Sequence, residues 1–355
     1  MPNRVLSINP GASSTKVAIY EDENLEVVEV IRHPASEISA FKETLDQLNY
    51  RKKIVLDFLS RNKTEIEHLS AVVGRGGAFK PLAGGTYQVN QRMLSDIKEG
   101  KIQADHVSNL GALIAYELTK GTGVPAFIVD PVSVDEFPEI ARISGLPELE
   151  RKSLSHALNI KMVGHKAARA LIRRYEELEL IIVHLGSGIS VSAHQRGKMV
   201  DVNNANDGGP FSPQRTGSLP VTGLAKLCFS KKYSYPEIYE MLTKRGGLLA
   251  YLGIDDVREV EARIKDGDRK AELIYRAMAY QIAKEIGAMA TVLSGKVDSI
   301  VLTGGIAHSE KLLGFIEERV KFIAPVMIFP GEDEMEALTL GVLRVLDGRE
   351  EVKEY

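Results

Sequence analysis

Short apolar runs closed by glycine alternate with longer stretches of helical spacing, and the chain goes through this pattern twice. Residues 180–183 (LIIV) form a continuous apolar run, Gly186, Ser187 and Gly188 make a turn, and Ile189, Val191 and Ala193 then alternate with polar neighbours. That order predicts a buried strand, a tight turn and a second strand. A third strand over 198–202 follows the Arg196-Gly197 turn. The N-terminus repeats the pattern: Val5, Leu6 and Ile8, the turn Asn9-Pro10-Gly11-Ala12-Ser13-Ser14, Val17 and Ile19 in alternation, and a third strand over 25–31. The same interval, 175 residues, separates Asn9 from His184 and Gly11 from Gly186. A strand-turn-strand unit recurring near half the chain length predicts a duplicated fold.

The intervening stretches complete each half. Phe41, Leu45, Leu48, Val55 and Leu59 predict a helix, and 69–73 a strand that delivers the glycine-rich loop GRGG at 74–77. Asp105 is placed to cap a helix carrying Val107, Leu110, Ile114 and Leu118, with Gly121 as its stop. A short strand over 127–129 ends on Asp130-Pro131, and 144–150 (SGLPELE) has the composition of a domain crossover. Domains over 1–150 and 151–333 follow from it.

Beyond it, Ile160, Val163, Ala167 and Leu171 share a helix face. After the second hairpin, 203–219 reads as a long loop, a length usual for functional or disordered segments, and its place directly after the hairpin favours function. One helical pattern spans 255–294, its stripe of Ile274, Met278, Ile282, Ile286, Met289 and Leu293 implying a buried helix. A strand over 298–302 enters TGGIAHS, Ser309 caps a helix through Leu312, Ile316 and Val320, and 326–329 is the last strand. Met335, Leu338, Val342 and Val345 mark a closing helix. Each half is an α/β unit, strand-strand-strand-helix-strand-helix-strand, with a mixed central sheet flanked by helices around a cleft.

Charge and composition narrow the function. With 45 basic and 48 acidic residues there is no cationic excess for a nucleic-acid partner. No apolar run approaches the ~18 residues of a membrane span, and the N-terminus lacks a signal-peptide pattern, so a cytoplasmic globular protein is expected. Cys228 is the single cysteine, which excludes intrachain disulfides and thiolate metal clusters; it reads as a core thiol.

The chain has no G-x-x-x-x-G-K-[ST], no H-E-x-x-H and no C-x-x-C. Phosphate would be held by glycine turns at strand ends, whose successive N–H groups form anion-binding nests. Asn9, Ser14 and Lys16 add polar groups and a cation to the first such turn; His184, Gly186, Ser187 and Gly188 form the second; Gly304 and Gly305 lie in a third. Arg75 and Arg215 sit in glycine-rich loops, where a guanidinium fork can grip a phosphoryl group in bidentate fashion. Asp130 at a strand end and His156 before a helix complete the candidates.

Taken in order, INPGASSTK, AVVGRGGAFKPLAGG, VDPVSVDEF, RKSLSHALN, HLGSGISV, NDGGPFSPQRTGSLP, LTGGIAHSE and FPGEDEMEAL resemble the acetokinase family, most closely its butyrate kinase branch, over nearly the whole chain. The resemblance implies two ribonuclease-H-like (actin-like ATPase) domains around a nucleotide cleft, the closing helix (about 334–355) joining the first domain. It implies transfer of the ATP γ-phosphoryl group to a short-chain carboxylate, with Mg²⁺, and a homodimer or larger homo-oligomer. By position, Asn9, Ser14 and Lys16 would lie around Mg²⁺ and the phosphates, and Arg75 and Arg215 would hold the carboxylate and the transferred group. Asp130 would be an acid near the metal and His156 a transition-state donor. His184, Gly186 and Gly188 would form the second phosphate hairpin, with Gly304 and Gly305 bordering the adenosine. A metal-side acid belongs near the C-terminus: Glu332 is chosen, with Asp333 and Glu334 aligned as easily. Two departures stand out, Ala12 where acetate kinases carry a hydroxyl and Ser187 in place of their asparagine. The alternatives are an acetate or propionate kinase, a sugar kinase of the same superfamily, and a nucleotide-switched binding or filament protein.

Overall fold

Strand β1 (Arg4–Pro10) pairs antiparallel with β2 (Ser14–Glu21), in register from Arg4↔Glu21 to Pro10↔Thr15, in a computed structural model that describes residues 2–355. β3 (Asn24–Arg32) adds to the far side of β2. β4 (Ala71–Arg75) lies parallel to β1, β5 (Thr86–Gln88) is a short strand, and β6 (Ala126–Val129) lies parallel to β4. The sheet order is β3-β2-β1-β4-β6-β5.

The later part of the chain repeats this plan. β7 (Glu179–Leu185) pairs antiparallel with β8 (Ile189–Gln195), and β9 (Lys198–Val202) extends the meander. β10 (Ser299–Gly304) and β11 (Val326–Pro330) continue in parallel on the other side of β7, giving the order β11-β10-β7-β8-β9. Leaving out β5, the two sheets have the same order and the same parallel and antiparallel pairings, so the duplication extends to topology.

The chain divides into two compact units. One comprises Met1–Asp135, Ala157–Met162 and Asp333–Tyr355; the other comprises Glu136–His156 and Val163–Glu332. In the first, Val72 and Ile128 of the central strands are fully buried with Val55 and Phe58 of the helix Leu48–Arg61 and Leu113 and Ile114 of the helix Leu110–Thr119. The closing helix Glu334–Leu346 belongs to this unit, burying Met335, Leu338 and Val342. In the second, Ile181, Val183, Ile300 and Leu302 pack with Met278, Ile282 and Ile286 of the long helix Arg269–Val292. Central strands covered on both faces account for the continuous apolar runs that predicted them.

Several expectations need correction. The pattern over 255–294 is two helices, Val257–Lys265 and Arg269–Val292, broken at Gly267, whose φ of 92° lies in the left-handed region. Asp268 caps the second by accepting from Ala271 N, 2.9 Å away. Phe41 lies outside any helix, because the helix Leu48–Arg61 begins after a 3-10 turn at Thr44–Gln47. His106, not Asp105, caps the turn leading into Leu110–Thr119; Asp105 accepts from Thr44 Oγ1 instead. Cys228 is exposed, at the end of the helix Val221–Cys228, which buries no residue, so no core surrounds the thiol. The helices Gln91–Lys98, Tyr235–Thr243 and Gly247–Leu252 are additions to the predicted order. No described helix is long and apolar enough to cross a membrane.

Candidate active site

In the first unit, the β1-β2 turn forms one wall of a cavity of about 350 Å³. Asn9, next to last in β1, stands opposite Lys16 of β2, and Gly11 N donates to Ser14 O at 2.8 Å to fix the turn. Asn9, Ser14 and Lys16 line the cavity together with Arg75, which ends β4 on the parallel neighbour of β1. Glu334, in the first turn of the closing helix, also lines it. Its carboxylate accepts from Asn9 Nδ2 and pairs with the Arg75 guanidinium. Ala12 lines the cavity without a hydroxyl, and Ser13 O accepts from His33 N at 2.9 Å.

His106 stands on the same lining, a residue that pattern alone did not single out. Its Nδ1 accepts from Ser108 N at 3.2 Å, and burial, followed by the Arg75 charge, holds the imidazole below its usual range. A lone histidine before an apolar helix has no distinguishing signal in sequence.

Asp130 is absent from this lining. It is 3% exposed, and its Oδ1 accepts from Gly85 N at 2.7 Å. Burial pushes its carboxyl up to about 6 against the opposing charges of Lys161 and Arg344.

In the second unit the β7-β8 turn is closed by Gly186 N donating to Gly188 O at 3.1 Å. Gly186, Ser187, Gly305 and Glu332 help line a cavity of about 650 Å³, along with Asp255 and Glu261. Gly304 lies behind it with φ of 94°, so close to β7 that a Cβ would sit 2.3 Å from Leu185 O. Only glycine fits there.

Arg215 reaches the turn from the long loop. Its guanidinium lies against Gly188, where an added Cβ would come within 2.4 Å of Nη1. Ser212 Oγ accepts from Arg215 N at 3.1 Å and donates to Ser187 O at 2.5 Å, which ties loop to hairpin. Burial lowers the Arg215 pKa, and no carboxylate pairs with it among the described residues. A half-buried guanidinium without a counter-charge, beside backbone N–H groups, is suited to an anion.

His184, 1% exposed and next to last in β7, has Nε2 3.2 Å from Glu332 Oε1. His156 stacks on it and places Nδ1 3.2 Å from Ser190 Oγ. Of the three C-terminal acids, Glu332 thus meets His184, Asp333 caps the closing helix by accepting from Glu336 N, and Glu334 meets Asn9 and Arg75.

The chain as a whole has close relatives. Butyrate kinase 2 of Clostridium acetobutylicum is 50% identical over 356 residues, all of this chain and all of that protein. Butyrate kinase 1 of the same organism is also 50% identical, over 99% of both chains. The chain belongs to the acetokinase family. The acetokinase family model matches residues 149–320. Porphyromonas gingivalis acetate kinase superposes with a TM-score of 0.78 at 20% identity, covering 97% of this chain and 100% of that one. An acetate kinase from Entamoeba histolytica gives 0.75 at 17% identity, covering 96% and 98%. The acetate kinases share the fold of this chain, two mixed sheets flanked by helices, consistent with duplicated actin-like ATPase domains.

Proposed function

We propose that the protein is an ATP-dependent carboxylate kinase that passes the terminal phosphoryl group of ATP to a short-chain fatty acid, butyrate or a branched analogue, giving the acyl phosphate and ADP in a reversible reaction. Full-length 50% identity with two butyrate kinases carries this reading. The geometry of the turns supports the reaction type.

A short-chain carboxylate is ionised at pH 7, its pKa resembling the roughly 4 of Asp and Glu, so it attacks phosphorus without a general base. The barrier is electrostatic, because two anions must meet while charge spreads over the phosphoryl oxygens. Arg75 and Arg215 hold the carboxylate and the moving phosphoryl group. Asn9, Ser14 and Lys16 on one turn, and His184, Gly186, Ser187 and Gly188 on the other, hold the phosphates. His156 donates to the group in transit, and Gly304 and Gly305 border the adenosine. Asp130, which lines neither cavity, is assigned to holding the Gly85 backbone.

Magnesium enters this proposal with the nucleotide. Asn9 and Glu334 offer one amide and one carboxylate, which suits an ion that keeps several waters and binds through one or two carboxylates plus substrate phosphates. Glu334 is the acid assigned, since it lines the same cavity as Asn9, whereas Glu332 faces His184. When bound, the ion would neutralise part of the phosphate charge. A cytoplasmic location and self-association complete the proposal.

Trapping acyl phosphate as the hydroxamate, over straight and branched acids of two to six carbons, tests the function. One methylene is worth about 1–3 kcal/mol, so a tenfold or larger preference for four-carbon acids is expected. A maximum at acetate or propionate would reassign the substrate. ADP release driven by sugars without hydroxamate formation would overturn the reading.

A further inference from the structure

Arg51 is fully buried (0% exposed), with the largest volume of any such side chain among the described residues, and no carboxylate pairs with it there. A buried guanidinium is costly unless its N–H groups are bonded and its charge is answered. The bonds are present. Nε and Nη2 donate to Gln47 Oε1 at 3.0 and 2.9 Å, and Nη1 donates to Ser14 O at 3.1 Å and to Thr15 Oγ1 at 2.9 Å. Nη1 also lies 3.2 Å from His33 Nε2. A guanidinium only donates. Nη1 has two hydrogens, which Ser14 O and Thr15 Oγ1 take, and His33 Nε2 also lies 2.9 Å from Thr15 Oγ1. Burial, then the Arg51 charge, lowers the His33 pKa, which keeps that ring neutral. Every acceptor is uncharged, so the charge of Arg51 stays unanswered in the core.

The acceptors lie in the first hairpin turn. Ser14 O takes both Arg51 Nη1 and Gly11 N, the bond that closes the turn, while Gly11 and Ser14 line the 350 Å³ cavity. In the second hairpin the equivalent closure is Gly186 N to Gly188 O, braced by the neutral hydroxyl of Ser212. Each turn thus has a guanidinium against it, Arg215 beside Gly188 and Arg51 beneath Ser14, but only that of Arg51 is fully buried.

We propose that Arg51 is a positioning residue for phosphoryl transfer: from inside the core it holds the Gly11–Ser14 turn in its anion-facing shape and supplies a fixed positive charge that bound phosphate answers. The inference rests on the carboxylate-kinase reading for its chemistry, not for the geometry of the turn.

Arg51→Lys keeps the charge but cannot bond Gln47, Ser14 and Thr15 from one plane. In the folded variant kcat is expected to fall at least about tenfold while the KM for butyrate moves less than about twofold. Without any ligand, the Gly11 amide should exchange at least about tenfold faster, with the β1 amides of Leu6 and Ile8 unchanged. Thr15→Val, which removes one acceptor from a strand that favours valine, is run alongside and should shift both readouts the same way by a smaller factor. A merely structural role predicts a lower melting temperature, wild-type kcat per folded molecule, and Gly11 exchange that moves only with β1. That result in Arg51→Lys overturns the inference, as does an unchanged Gly11 in folded Thr15→Val should Arg51→Lys fail to fold. A wild-type protein that makes no acyl phosphate would sink the kinase reading instead, and the ligand-free exchange would still decide whether Arg51 holds the turn.

Discussion

The imidazoles of His156 and His184 stack with ring centroids 4.0 Å apart and planes 12° from parallel. Ser190, which faces His156 Nδ1, is also the register partner of His184 across β7 and β8. One hairpin rung therefore orients both rings, and a histidine at the start of the helix Ala157–Ala170 is fixed to a strand end. In the proposed reaction His156 donates to the transferring group. His156→Ala should lower kcat by about 10²–10³, the usual cost of losing one preorganised donor. The KM for carboxylate should stay nearly constant, and an unchanged kcat would remove His156 from the chemistry.

Arg75→Ala and Arg215→Ala should each reduce turnover by about 10³ or more, the scale of an arginine that stabilises phosphoryl transfer. Lysine at either position should not restore it, because a bidentate grip needs the planar fork. Circular dichroism melts separate this from unfolding. A variant with turnover near wild type would exclude its arginine.

Glu332 and Glu334 are two residues apart and have different partners, His184 and the Asn9-Arg75 pair. Glu334→Gln should raise the Mg²⁺ concentration needed for half-maximal activity by about tenfold or more, and Glu332→Gln should leave it nearly unchanged. Magnesium titrations of both variants at saturating ATP make the comparison. The reverse ranking would return the metal-side role to Glu332.

Asp130 carries a pH signature. Its carboxyl is pushed from 3.8 up to about 6 by burial, so between those values the folded protein binds more protons than the unfolded chain. Its contribution to stability is therefore largest below about pH 4 and is lost as pH rises through about 6. Asp130→Asn should remove that part of the slope. Urea unfolding of both proteins at several pH values across the window measures it, and parallel stability curves would show that Asp130 ionises like an exposed acid.

Glycine turns and strand alternation are local, so the two hairpins, the shared interval of 175 residues and the succession of strands along the chain were legible in sequence. So were the arginine loops and the glycine at 304, where chain conformation restricts the residue type. Other features depended on folding. Arg75 meets Glu334 across 259 positions, and no periodicity connects them. The three consecutive acids 332–334 look alike in sequence and diverge only when the start of the closing helix sets each carboxylate against a different partner. The burial of Asp130 and Arg51, the exposure of Cys228 and the position of His106 on the cavity wall follow the same rule. Sequence pattern specifies which face of an element is apolar. What lies against that face, and therefore which polar groups lose water, acquire partners or face a ligand, is set by long-range packing.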